Sequence, residues 1–204
     1  TLSQSRTMKK QDAPYQAQGT LTVAGTPSTP ATLTIEPGVE IRFPNGAQLA
    51  IGSATNQGAL IAQGTPSQPI LFTRTTGNWY GIYFNDASVD ATSILEYSIV
   101  EYGGYGSSAN VTCLSSSPTI RNSTLRNSIN YGLSLQNASS VVIESNTFQN
   151  NTQAAAYLDL LSLGSTFTGN TYSGNGNNNA ILLQSGTLSQ SRTMKKQDAP
   201  YQAQ

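Results

Sequence analysis

The stretch ILEYSIVEYG (94–103) returns as TIRNSTLRNS (119–128), as VIESNTFQNN (142–151) and as FTGNTYSGNG (167–176). Val100, Leu125, Phe148 and Tyr172 fall in one column, and the spacing between them hardly varies. Tyr102, Asn127, Asn150 and Gly174 form a second column. A further strand-like run follows each of the last three repeats, placing Leu133 in YGLSLQN, Tyr157 in AYLDLLS and Ile181 in AILLQSG at equal intervals. The period is about 24 residues, and a unit that short cannot bury its apolar side alone, so it must wind into a coil and stack on the next one. The strands then form parallel sheets along the stack, and the column residues point inward.

The first half carries the same kind of run without so strict a period: TLTVAG, ATLTIEPGVEIRF, AQLAIGS, GALIAQG, PILFTR and WYGIYFN. Each is short, rich in β-branched residues and bounded by glycine or proline, which reads as strand. AAAYLDLLSLG alone would suit a helix, but strand-like segments flank it. An antiparallel sandwich also uses short strands, yet it would not bring column residues back at so regular an interval. Asn and Ser near the columns suit tight corners, where Asn tolerates left-handed backbone.

TLTIEPGVEIRF, AQLAIGS, GALIAQGTPSQPILFTR, WYGIYF and ILEYSIVEYGG together resemble the right-handed parallel β-helix repeat family of the pectate-lyase-like superfamily, abundant in bacterial surface and secreted proteins. The resemblance runs from about Gln11 to Gly186. It implies an all-β, right-handed parallel β-helix, and it says little about function, because the same coil serves lyases, hydrolases, adhesins and fibres.

One segment, TLSQSRTMKKQDAPYQAQ, occupies both Thr1–Gln18 and Thr187–Gln204, letter for letter. The interval from the first copy to the second holds eight coils at roughly 23 residues each, so the second copy stands where a next module would begin. Residues 1–186 are therefore expected to form one module of about eight coils, with 187–204 the start of an identical one. The alternative is that the segment was appended by duplication. In an assembled array 187–204 should take the backbone of 1–18; in a single chain it should fray.

Composition narrows the chemistry. Ten Lys and Arg balance ten Asp and Glu, with no basic run, which disfavours nucleic acid as a partner. No apolar run approaches the length of a membrane span. There is no histidine, and the single cysteine, Cys113, has no partner for an internal disulfide. No Asp-Asp pair, no Gly-His-Gly and no Arg-x-Lys stands on a strand, which argues against the lyase and hydrolase chemistries of the superfamily. No catalytic residue, cofactor or metal is implied.

The weak candidates are few. Asp86 and Asp90 share the loop NDASVD and could touch calcium, although two carboxylates fall short of the usual six to eight oxygens. Glu96, Arg121 and Glu144 read as an alternating charge ladder on a solvent face. Trp79, Tyr80 and Tyr105 could contact a glycan ring, although Trp79, like Tyr102, is better read as packing at a coil corner. The expected function is a structural module of a repetitive extracellular or cell-surface fibre, stalk or adhesin, partnered head to tail by further copies of itself. A polysaccharide-binding or polysaccharide-degrading protein is the alternative.

Overall fold

A computed structural model describes residues 1–203; Gln204, the last residue of the second copy, lies outside the described residues. Every pairing between the named strands is parallel, and they fall into three sheets that run the length of the stack. The first sheet, A, holds Leu21–Val23, Gln48–Ile51, Gly81–Phe84, Ala109–Leu114, Tyr131–Gln136, Ala154–Leu158, Ile181–Leu183 and Tyr201–Ala203. Sheet B runs from Arg6–Met8 to Thr166–Thr168, and sheet C from Tyr15–Gln16 to Thr171–Ser173, each with seven strands. The chain visits A, B and C in turn, one coil per circuit.

Each sheet turns a main apolar column inward, and sheet A adds a second, Val23, Ile51, Phe84, Cys113, Leu135, Leu158 and Leu183. In sheet C it is Tyr15, Ile41, Phe72, Val100, Leu125, Phe148 and Tyr172. In sheet B it is Met8, Ile35, Ala62, Leu95, Ile120, Ile143 and Phe167. In sheet A it is Leu21, Leu49, Ile82, Val111, Leu133, Ala156 and Ile181. Most of these side chains are fully buried, in one continuous core.

Two expectations need correction. The grouping of Leu133, Tyr157 and Ile181 is out of register: Leu133 pairs with Ala156 and Ala156 with Ile181, while Tyr157 lies between Ser134 and Leu182. A shift of one residue moves a strand side chain to the other face. Ala154, Ala155 and Ala156 hide that face, because all three are small and all three are buried. The stack also has seven turns where eight were expected. The sheet A column stands at positions 21, 49, 82 and 111 and then at 133, 156 and 181, so its early steps are longer than its later ones. The additional chain sits in corner loops of the first half.

The corners between strands follow from residue type. Tyr102, Asn127, Asn150 and Gly174 close the corner after sheet C with φ of 60°, 56°, 54° and 66°. Tyr97, Asn122, Ser145 and Gly169 do so between sheets B and C, with φ of 44°, 50°, 56° and 68°. Left-handed backbone is what glycine and asparagine tolerate best. AAAYLDLLSLG divides into the strand Ala154–Leu158 and a single 3-10 turn, Leu160–Ser162, capped by the Asp159 carboxylate, which accepts from the Ser162 N–H at 2.8 Å.

Candidate functional site

The aromatic candidates separate. Trp79 is fully buried, its ring stacked on Phe43 at 4.4 Å and its Nε1 donating to the Glu101 carbonyl at 2.8 Å. It therefore cannot offer a face to a glycan, and it packs at a corner because the interior beside Phe43 is wide enough for an indole. Tyr80 and Tyr105 meet edge-on at 5.1 Å, and Tyr105 is 39% exposed. Tyr83 stands edge-on to Tyr80 at 6.4 Å and donates its hydroxyl to Ser108 Oγ at 2.6 Å. Further along, Tyr131 and Tyr157 stack at 4.8 Å.

The acidic candidates do not converge. Asp86 borders a shallow groove with Thr22, Gln48, Asn85 and Asn137, whereas the Asp90 carboxylate accepts the Ser88 hydroxyl at 3.0 Å. Among the described residues no three of Asp, Glu and Cys come together. Glu96 and Arg121 stand in neighbouring strands of sheet B, with Glu144 in the next. Arg121 Nε lies 2.8 Å from Glu96 Oε1, a charge contact without hydrogen-bond alignment, and Nη2 donates to Oε2 at 3.1 Å. Burial alone would raise the Glu96 pKa; hydrogen bonds from Gln63, Arg121 and Asn122 and the Arg121 charge outweigh it and hold the carboxyl below its ordinary value. Burial, with help from the Asp90 charge, drives the Cys113 thiol far up, so it stays protonated in the core.

What the sequence repeats most faithfully lies at the two ends of the stack. At the first end, Arg6–Met8 pairs with Ala31–Ile35 and Tyr15–Gln16 with Glu40–Phe43. Leu2 bridges to Val23, its N–H donating to the Thr22 carbonyl at 2.6 Å. Thr1, Leu2, Met8, Leu21, Val23 and Leu33 line a mainly apolar groove there.

At the other end the second copy follows the stack and then leaves it. A ladder of corner side chains runs Ser98, Ser123, Asn146, Asn170, each backbone N–H donating to the side-chain oxygen of the next, and Asp198 Oδ2 receives the last N–H at 2.6 Å. Tyr172 donates its hydroxyl to Asp198 Oδ1, and Gln197 Oε1 accepts from the Phe167 N–H at 2.7 Å. Beyond Asp198 the chain skips sheet C. The Pro200 carbonyl accepts from the Ile181 N–H at 2.9 Å, and Tyr201–Ala203 pairs with Ile181–Leu183 in sheet A. Ala199 is buried against the core and Tyr201 packs on it, so the tail closes the end of the stack. The part of this segment that docks is its end, Gln197 to Ala203, which covers the open backbone edge of Ile181–Leu183 and the end of the core, whereas residues 187–196 form no strand and are almost all exposed.

The profile described as "Right handed beta helix region" matches residues 37–196. The chain belongs to the right-handed β-helix family. No curated protein and no solved structure matches it.

Within this β-helix, the recurring Asn form the amide ladder along the stack that their repetition favours, and it is buried. Asn151 Nδ2 donates to the Leu125 carbonyl at 2.9 Å and to Asn175 Oδ1 at 2.8 Å, and Asn151 Oδ1 accepts from the Ser128 N–H at 3.1 Å. One feature escaped sequence reasoning, the cap formed by Asp198 and Tyr201, for which identical sequence at Asp12 and Tyr15 gave no signal. There Tyr15 donates its hydroxyl to the Lys9 carbonyl at 2.7 Å, while the Tyr201 hydroxyl accepts from Gln197 Nε2 at 2.8 Å.

Proposed function

We propose that this protein is a structural module of an extracellular or cell-surface fibre, stalk or adhesin, in which β-helix units follow one another head to tail. One observation carries the reading. Tyr15 and Tyr172 share a column with six steps between them. The offset between the two copies carries Tyr15 onto Tyr201, one coil-length beyond Tyr172, so Tyr201 is due at the next place in the same column. Were the stack to continue, the repeated segment would arrive a whole number of coils later with its apolar residues in phase, whereas here Tyr201 pairs with Ile181 in sheet A. Backbone ladders and buried amides along the axis make such a rod stiff, and seven coils span roughly 34 Å at the usual strand spacing. The function is then mechanical reach, with sparse charge permitting many coils to stack without like-charge repulsion.

The test is a chain holding residues 1–186 twice in succession. The expected particle in electron microscopy and small-angle scattering is one straight rod, about twice the length of a single unit. Two globules joined by a flexible link would end the reading.

Polysaccharide binding remains a second reading, favoured by Tyr105, which is exposed beside Tyr80. Such edges and faces suit sugar rings. Tyr105→Ala should abolish retention on a polysaccharide column if this reading holds; turnover of any polysaccharide, with or without calcium, would displace the structural one.

A further inference from the structure

Five tyrosines gather along sheet A and the corner before it, Tyr80, Tyr83 and Tyr105 in one group and Tyr131 and Tyr157 in another. The groups differ in how their rings meet. In the first, both contacts are edge-on, with 85° and 76° between the ring planes. In the second, the rings lie face to face, 4.8 Å apart and 17° from parallel. Among the described residues this is the one stacked pair made of two tyrosines. Sheet register brings the two together. Tyr157 pairs with Ser134 and points outward, since Ala156 and Leu158 on either side of it are buried in the core. Tyr131 stands three residues before Ser134, in a file whose other members, Ala109 and Ala154, carry only a methyl group, so nothing bulky keeps its ring from the next coil. Both rings are half-buried and so keep an edge in solvent.

We propose that Tyr131 and Tyr157 are an oxidative cross-linking site, joined by a carbon–carbon bond that staples two adjacent coils of sheet A. This goes beyond the head-to-tail reading and does not depend on it. The oxidant is hydrogen peroxide acting through a haem peroxidase, chemistry that belongs outside a reducing cytosol. Each phenol gives one electron to the oxidised haem and its hydroxyl proton to water, leaving a tyrosyl radical. The unpaired electron occupies the π system, with much of its density on the ring carbons beside the oxygen, above and below the ring plane. Two such radicals join through their faces, and edge-on rings present the wrong direction. The new bond links one of those carbons on each ring. The hydrogen that each carbon held passes to its oxygen as the ring regains aromaticity, so two phenols return. The two electrons and two protons given up reduce one hydrogen peroxide to two waters. Because the rings already stack at a separation ordinary for aromatic pairs, the partners need not find each other by diffusion. The bond closes a loop of one coil and so restrains the unfolded chain far more than the folded one. Local opening between coils is what a rod under tension must resist, and this staple opposes it covalently.

The experiment treats the full chain, at a dilution where chains rarely meet, with a haem peroxidase and hydrogen peroxide. Dityrosine fluorescence follows the bond, and mass spectrometry of a protease digest locates it. The expected product is a single chain in which the peptide holding Tyr131 is joined to the one holding Tyr157, the pair lighter by two hydrogen atoms. Tyr131→Phe and Tyr157→Phe should each abolish it, while Tyr80→Phe and Tyr105→Phe leave its yield unchanged. In urea the selectivity should disappear, because stacking and not sequence chooses the pair. A bond mapped to Tyr80 and Tyr105 overturns the proposal, and Tyr105 is the most exposed of the five, so exposure alone would favour that result. No bond at all, bonds between chains in place of the staple, survival of the product in Tyr157→Phe, or the same pair chosen equally in urea would each overturn it too. The purified stapled chain should melt at a higher temperature than the untreated one, and an unchanged midpoint overturns its role in holding coils together. A tandem chain that fails to form a rod removes the head-to-tail reading and leaves this site standing.

Discussion

Tyr15 and Tyr201 are the same residue of one repeated segment, and they stand in different sheets: Tyr15 pairs with Ile41 in sheet C, Tyr201 with Ile181 in sheet A. Local preference cannot separate them, since the two segments are identical throughout. What differs is the competitor. After the first copy, Leu21–Val23 fills sheet A; at the far end Tyr201–Ala203 takes that position. Extending the chain beyond Gln204 by a second copy of residues 19–43 should therefore move Tyr201 onto Tyr172. Nuclear Overhauser contacts from the Tyr201 amide report the choice. Contacts to Tyr172 are expected in the extended chain and to Ile181 in the original; unchanged contacts to Ile181 would show that the cap is intrinsic to the segment.

Asn151 is fully buried, and its side chain makes four hydrogen bonds to other coils, with the Ser128 N–H, the Leu125 carbonyl, Asn175 Oδ1 and Asn110 Nδ2. Asn151→Ala leaves the Ser128 N–H, the Leu125 carbonyl and the Asn175 amide short of a partner. Each buried orphan costs about 1–3 kcal/mol, partly relieved where water or Asn175 can shift, and a net loss of about 2–4 kcal/mol in urea unfolding is expected. Thr152→Ala, an exposed residue whose hydroxyl donates to the Ser128 carbonyl at 3.1 Å, should lose less than about 1 kcal/mol. Equal effects would mean the ladder does not carry stability.

The left-handed corner at Asn150 (φ 54°) sets a second contrast. A β-branched residue there meets the steric penalty of left-handed backbone, about 1–2 kcal/mol. Asn150→Val is thus expected to lower the unfolding midpoint clearly, and Asn150→Gly to leave it nearly unchanged. Thermal melts of the two variants decide the matter, and a Val variant as stable as the Gly variant would contradict the corner argument.

The stacked parallel fold was legible because large apolar residues such as Val100, Leu125 and Phe148 recur beside short polar corners, a pattern only a coil can bury. The corners were legible too, since Asn127, Asn150 and Gly174 are the residues that left-handed backbone accepts. The buried corner position of Trp79, stacked on Phe43, agrees with its reading as a corner-packing residue. Two things were not legible. The run Ala154–Ala156 carries no mark of which side faces inward. The number of coils depends on corner loops whose lengths obey no period. The closing of the far end was hidden for a deeper reason: identical sequence took two structures, so nothing in the letters could tell them apart.

Acid should probe the charge ladder. The carboxyl of Glu96 is held below its ordinary value of 4.5, because the bonds from Gln63, Arg121 and Asn122 favour the ionised form more than burial disfavours it. A folded-state pKa below the unfolded one contributes stability above the unfolded value and loses it as pH falls through the folded value. The contribution is thus complete at neutral pH and fades below about pH 4.5. The contribution is small, because Arg121 is partly exposed and water screens the pair. Glu96→Gln keeps a hydrogen-bonding amide but no titration. The gap in unfolding free energy between wild type and variant should be largest at neutral pH and shrink as pH falls well below 4.5. Denaturant titrations at several pH values measure it. A gap that stays constant over that interval would mean Glu96 titrates alike in the folded and unfolded chains, and that the Glu96–Arg121–Glu144 file on sheet B does nothing to bind one coil to the next.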